Sequence, residues 1–187
     1  MGLITLALSL ILYVQEAIAA TEPPFELPSK DEIRKLQTAI IYTRLGEIHI
    51  QLHPEDAPWH VANLKFRADR GLYKGSIFNH FEPNYIIQGG EHSKKSAKPT
   101  YFLLPEFTGF KHEPGAVGMA RIPDPENPER LSHPRQFYIM LSNAVHMDGQ
   151  YTIFGHVTKG MDLVEQLREQ DKIVDIKVFV RSIQRNY

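Results

Sequence analysis

The chain has 187 residues, 42% of them hydrophobic, which suits one domain with a sizeable core. Its 21 basic residues are balanced by 22 acidic ones, so it lacks the basic excess of a general nucleic-acid binder, and no nucleic-acid partner is expected. Cysteine is absent, which excludes disulfides, thiol catalysis and thiolate metal sites.

Residues 1–20 read as a signal peptide. Leu3 to Val14 is almost wholly apolar, and Ala17-Ile18-Ala19 supplies a small-x-small pattern before a cleavage point near Ala20. The run is too short to span a bilayer, so no stable membrane insertion is expected after cleavage. Met1-Gly2 carries no basic residue, which leaves an uncleaved anchor or a buried helix as alternatives. A cleaved leader implies a periplasmic or secreted protein. Residues 21–37 open on Thr21-Glu22-Pro23-Pro24 and are predicted to be a flexible lead-in to a domain over 38–187.

Thr38–Tyr42 and Glu47–Leu52 form a predicted hairpin about Leu45-Gly46, with Ile48, Ile50 and Leu52 alternating onto one face. Asp56-Ala57-Pro58 places an acidic capping residue before a proline and predicts a helix start. That helix turns Val61, Leu64 and Ala68 to one side, and Gly71 stops it. Short β-type stretches follow at Ser76–Phe81, Tyr85–Gln88, Ala116–Ala120, Phe137–Leu141 and Thr152–Val157. A second helix is predicted over Met161–Glu169, with Leu163, Val164 and Leu167 inward, and Ile173–Val180 closes the domain as a strand. Thirteen prolines and twelve glycines punctuate these segments. Many short strands with two helices suggest a mainly β fold, a closed barrel capped by the helices.

Three segments follow one another in order. The first is Gly46-Glu47-Ile48, Pro54-Glu55-Asp56-Ala57-Pro58, Val61-Ala62-Asn63 and Gly71-Leu72-Tyr73. The second is Phe78-Asn79-His80 leading to Ile87-Gln88-Gly89-Gly90. The third joins Gly115–Ala120, Gln136–Ile139, Met147-Asp148-Gly149 and Phe154-Gly155. Together they resemble the cyclophilins, and the resemblance runs from about residue 38 to residue 180. It implies a closed eight-stranded antiparallel β-barrel with a helix at each end, a groove on the outer face for proline-containing polypeptides, peptidyl-prolyl cis–trans isomerase activity and no cofactor. A monomer is expected.

Carried over by position, the resemblance lines a proline pocket with Tyr85, Ile86, Tyr138 and Met147, beside Ala120. Gln88 and Gln136 match two glutamines that bind substrate backbone. His80 stands where the family has the arginine that donates toward the prolyl nitrogen, so His80 and Gln88 are the candidate catalytic pair. Imidazole is shorter and lacks the guanidinium fork. His146 stands where an aromatic residue is frequent, Tyr151 where a histidine is, and Arg121 where an asparagine is. By that correspondence Arg121, His146 and Tyr151 count with Ala120 among the substrate-binding candidates. Arg121 reads most simply as a solvated loop arginine, with a guanidinium brought near the groove from another direction as the alternative. Ile122–Glu129 reads as a stiff, acidic, proline-rich loop beside the groove. The nine histidines form no i, i+4 helical pair, and no metal site is expected. Lys94, Lys95 and Lys98 read as a solvated loop. The leading expectation is an isomerase assisting the folding of exported proteins, with activity lowered by His80. The alternatives are a proline-peptide binding or chaperone-like module, and a barrel that serves only as a scaffold.

Overall fold

The structure is a computed structural model, and it describes residues 22–93 and 98–181. The predicted signal segment and Lys94-Lys95 lie outside the described residues.

Eight strands make one antiparallel sheet: β1 (Leu36–Thr43), β2 (Gly46–Leu52), β3 (Ile77–Glu82), β4 (Ile86–Glu91), β5 (Ala116–Met119), β6 (Phe137–Met140), β7 (Ile153–Lys159) and β8 (Ile173–Val180). Their order across the sheet is β3-β4-β6-β5-β7-β2-β1-β8. The sheet curls, but its ladder does not close into the expected barrel. The outer strands β3 and β8 form no ladder; Ile77 makes an isolated bridge with Lys172, just before β8, and the Phe78, Ile173, Gly75 and Gln170 amides bond the Asp171, Ser76, Ile173 and Phe78 carbonyls around it.

The inner face carries the core. Alternation in β2 sends Ile48, Ile50 and Leu52 inward, where they meet Phe78, Ile87, Val117, Phe137, Ile139 and Phe154. Every residue of β5 and β6 is buried. Strands buried on both faces read as continuous apolar runs, and here the outer face of β5 and β6 belongs to a second apolar cluster that contains Ala116, Tyr138 and Met140.

Among the described residues three α-helices accompany the sheet: α1 (Lys30–Ile33), α2 (Pro58–Asp69) and α3 (Met161–Val164). Helix α2 turns Val61, Leu64 and Ala68 into the core, packs against β8 and ends before Gly71, whose φ of 65° is one that side chains rarely adopt. Asp56 does not cap it. The N-cap position is Ala57, and the carboxylate of Glu106, 46 residues from His60, accepts the helix-opening amides of Trp59 (3.1 Å) and His60 (3.0 Å). The predicted second helix is shortened to α3, because the Arg168 guanidinium turns back to bond the carbonyls of Glu165 and Leu167.

The stretch expected to be a flexible lead-in is ordered from Glu22. The Phe25 ring packs against Phe66, Trp59 and Tyr101 at centroid distances of 4.9, 5.9 and 6.4 Å. The Glu32 carboxylate in α1 accepts both the amide and the hydroxyl of Ser29. Among the described residues no helix is long and apolar enough to cross a membrane.

Candidate active site

The register of the sheet builds the site. His80 is opposite Gln88, Gln88 opposite Tyr138, Tyr138 opposite Gly118, and Gly118 opposite Ile153. Directly opposed residues present their side chains on one face, so this row crosses five strands on the outer surface. The two-residue repeat adds Ile86 to Gln88 on β4, and Gln136 and Met140 to Tyr138 along β6. The second apolar cluster is the result: Ile86, Ala120, Tyr138, Met140, Met147 and Ile153, with Tyr85 and Tyr151 packed against it. Every residue predicted for the proline pocket is in this cluster.

Two amides border the pocket, and a buried carboxylate sets their direction. Glu91 is 3% exposed and accepts the Gln136 side-chain nitrogen at 3.1 Å. A carboxylate only accepts, so Gln136 must turn its oxygen the other way, where it receives Nε2 of Gln88. Gln88 is left with its oxygen and one N–H for a ligand. Arg135 bonds the same Glu91 oxygen at 2.9 Å, and His133 Nε2 stands 3.4 Å from it. Nδ1 of His133 accepts the amides of Arg135 and Gln136, so its proton is on Nε2. Burial, outweighing Glu91, pushes the His133 pKa down to about 4, so this contact is a neutral one at pH 7. A cleft of about 530 Å³ adjoins the amides, lined by Asn79, Lys98, Phe102, Arg135 and Gln136 among others.

Polar atoms in the pocket wall are paired with one another. The Tyr85 hydroxyl lies 3.0 Å from His146 Nε2 and 3.3 Å from the Met147 sulfur, and the two rings are nearly parallel. The Tyr138 hydroxyl lies 2.8 Å from His112 Nε2, and His112 Nδ1 lies 3.0 Å from Asp148.

A family model described as cyclophilin-type peptidyl-prolyl cis–trans isomerase matches residues 38–183. The chain belongs to the cyclophilin family. It is 31% identical to peptidyl-prolyl cis–trans isomerase B of Bacillus subtilis over 136 residues, covering 71% of this chain and 91% of that protein. It is 32% identical to a peptidyl-prolyl cis–trans isomerase of Acinetobacter baylyi over 133 residues, covering 67% and 68%. Among solved structures, a cyclophilin-type isomerase of Cryptosporidium parvum shares the fold with a TM-score of 0.67 at 24% identity, covering 78% of this chain and 99% of that one. Cyclophilin AquaCyp293 of Hirschia baltica does so with a TM-score of 0.63 at 21% identity, covering 81% and 80%.

As a cyclophilin, the chain carries two polar candidates, Arg121 and His80, whose surroundings the structure describes. Arg121 is not a solvated loop arginine. Its side chain is 5% exposed, its guanidinium carbon sits 4.4 Å from the Tyr151 ring centroid, and its Nε donates to the Gln150 carbonyl at 3.0 Å. Nη1 bonds Asp124, which also pairs with Arg130, so the acidic loop anchors Arg121. Asp124 is held below the usual carboxylate range by that Arg121 bond. His80 is exposed and its imidazole has no hydrogen bond among the described residues, although the residue is directly opposite Gln88.

Glu91, His112 and Glu106 were not singled out from the sequence. For His112 a signal existed: a buried tyrosine requires a partner for its hydroxyl, and Tyr138 in an apolar pocket therefore implied one. Its identity depends on the fold.

Proposed function

We propose that the groove binds Xaa-Pro segments of polypeptides and speeds rotation about the prolyl bond. The observation that carries this reading is the apolar cluster of Ile86, Tyr138 and Met147 beside two amides whose direction Glu91 fixes. A solved relative from Cryptosporidium parvum in the presence of the dipeptide Ala-Pro supports it.

Rotation about the peptide bond meets a barrier of ~18–20 kcal/mol, and needs no covalent intermediate. The pocket would hold the proline ring while Gln88 and Gln136 hold the flanking backbone. Twisting the amide returns a lone pair to nitrogen, and a donor aimed there stabilises the twisted form over both planar ones. His80, opposite Gln88, occupies the place from which a donor would act, and its ring has a single N–H when neutral where a guanidinium would offer a fork. A missing donor of this kind costs ~10²–10³ in rate, so turnover is expected to be reduced. In this reading the Ile77–Lys172 contact closes the curled sheet into a barrel and holds β3, with His80, beside β4. The apolar run from Leu3 to Val14 and Ala17-Ile18-Ala19 support export, which would put the isomerase to work on polypeptides folding outside the cytoplasm, in our reading as a monomer. The unbonded, exposed His80 favours a second reading, a proline-peptide binding module with little turnover.

A proline-limited refolding assay on the wild type, His80→Arg and His80→Ala separates the two. If the chain is a weakened isomerase, His80→Arg raises kcat/KM at least tenfold and His80→Ala lowers it. A wild-type rate that His80→Ala leaves unchanged removes His80 from the chemistry. Peptide binding without turnover in the wild type establishes the binding module.

A further inference from the structure

A buried chain of three polar side chains lies beneath the pocket, and prolyl isomerisation by itself gives it no task. Asp148 Oδ1 accepts both the backbone amide of His112 at 2.8 Å and its Nδ1 at 3.0 Å. Since the carboxylate cannot donate, Nδ1 carries the imidazole proton and Nε2 is left as an acceptor. The Tyr138 O–H, 2.8 Å away, therefore donates to it. Tyr138 is 1% exposed and His112 2%, so water does not replace this bond.

The space on the other side of the ring explains why the bond matters. Gly118, directly opposite Tyr138, has no side chain; a Cβ there would overlap the Tyr138 hydroxyl and stand 2.8 Å from Cε2. The hydroxyl fits only because Gly118 leaves that room, and a glycine supplies no wall to hold the ring. Resting on the proline-groove reading, we infer that His112 is a positioning residue: through the Tyr138 hydroxyl it holds the ring against which a proline packs, and its protonation weakens peptide binding.

A protonated His112 has N–H on both nitrogens, so Nε2 no longer accepts and the Tyr138 proton must turn away into an apolar cluster. Burial lowers the His112 pKa below its ordinary value, against the opposing pull of Asp148, so the tyrosine donates at neutral pH; in acid the bond reverses, Nε2–H donating to the hydroxyl oxygen, and the tyrosine proton is left without its acceptor. Asp148, lowered to about 2 chiefly by the His112 amide, stays anionic throughout. The other titratable groups around His112 are Lys111, 3.3 Å from Asp148, Tyr151, whose ring meets the imidazole edge-on at 6.3 Å, and His146, whose charge opposes protonation.

The test measures Kd for a short proline peptide by calorimetry, together with isomerase kcat and KM, from pH 7.5 to 4.5. In the wild type, Kd and KM should rise severalfold as pH falls below the ordinary histidine range, with kcat little changed, because a positioned wall serves ground and transition states alike. Tyr138→Phe should raise Kd about threefold to tenfold at pH 7.5 and flatten the profile, although His80 and His146 remain. His112→Ala should raise Kd by tenfold or more, and His112→Gln, whose oxygen can accept the tyrosine proton, should recover most of that loss with a flat profile. Tyr138 ring signals followed by NMR without peptide should move as His112 titrates. Unchanged Kd and slope in Tyr138→Phe, or ring signals indifferent to the His112 titration, overturn this inference alone. A wild type that binds no proline peptide overturns the groove reading instead, and with it the link to affinity.

Discussion

Removing the Glu106 carboxylate should unfasten helix α2 from within. Glu106 accepts three N–H groups: the amides of Trp59 and His60 and, at 2.6 Å, Nδ1 of His60. No side chain at Ala57 can take over. The His60 side chain is fully buried, and its Nε2 already has no partner. In Glu106→Ala both imidazole nitrogens would be buried without a bond, at a cost of roughly 1–3 kcal/mol. The lost cap adds about 0.5–2 kcal/mol. The expected destabilisation is therefore roughly 2–5 kcal/mol, which for a domain of this size lowers Tm by about 5–15 °C. Glu106→Gln keeps one accepting oxygen and should fall between the two. Thermal unfolding followed by far-UV circular dichroism reads the effect, and urea midpoints check it at constant temperature. A Glu106→Ala protein melting within about 2 °C of the wild type would refute the idea that this remote carboxylate caps the helix.

Two further outcomes follow from the described contacts. His133 is neutral in the fold with a pKa of about 4, whereas the unfolded chain takes up its proton near the ordinary value of 6.5, so this contribution is complete above about pH 6.5 and is lost as pH falls toward 4. It amounts to on the order of 3 kcal/mol; urea midpoints should fall less steeply with acid in His133→Gln, and an unaltered slope would count against the assignment. Phe25→Ala should cost about 1–3 kcal/mol through lost ring contact with Phe66, Trp59 and Tyr101, measured as a lower Tm, and an unshifted Tm would mean that the segment before β1 adds nothing to stability.

What the sequence made legible was local and periodic. Ile48, Ile50 and Leu52 announce a strand with one buried face, and all three are core residues. Gly71 marks the end of α2 because its backbone angle suits glycine best. The residues expected to line a proline pocket lie on three separate segments, and only the ordered resemblance to a family tied Ile86, Tyr138 and Met147 together. The partners that fix the site are less visible because they are distant in sequence. Glu106 meets α2 from 46 residues away, and His112 meets Tyr138 across 26. Capping rules look at the residues that flank a helix, so Asp56 was the natural candidate. Nothing in its neighbourhood reveals that a carboxylate from the loop before β5 already occupies that position. Arg121 misled for a related reason: a charged residue at a strand end reads as solvated unless its ring partner, Tyr151, is known to be beside it.

The polar residues of the groove acquire a common logic once their partners are compared. Tyr85 and Tyr138 each bring a hydroxyl into an apolar pocket, which is costly unless that hydroxyl is bonded. Each one is bonded, to His146 and His112 respectively. Arg121 brings a cation into the same region, and the Tyr151 ring and Asp124 receive it. These polar groups therefore come in pairs that satisfy one another within the protein, and a pair of that kind makes no demand on the ligand. His80 is different. It is opposite Gln88 and exposed, and its imidazole is bonded to none of the described residues. With Gln88, which keeps an oxygen and one N–H unused, and Asn79, whose buried Oδ1 has no partner among the described residues, it is among the polar groups that the fold leaves to a ligand. Under the proposed reading that asymmetry makes His80 the residue to test: if its imidazole donates toward the prolyl nitrogen, the paired tyrosines and Arg121 do not compete with it, and if it does not, the same groove binds without turnover.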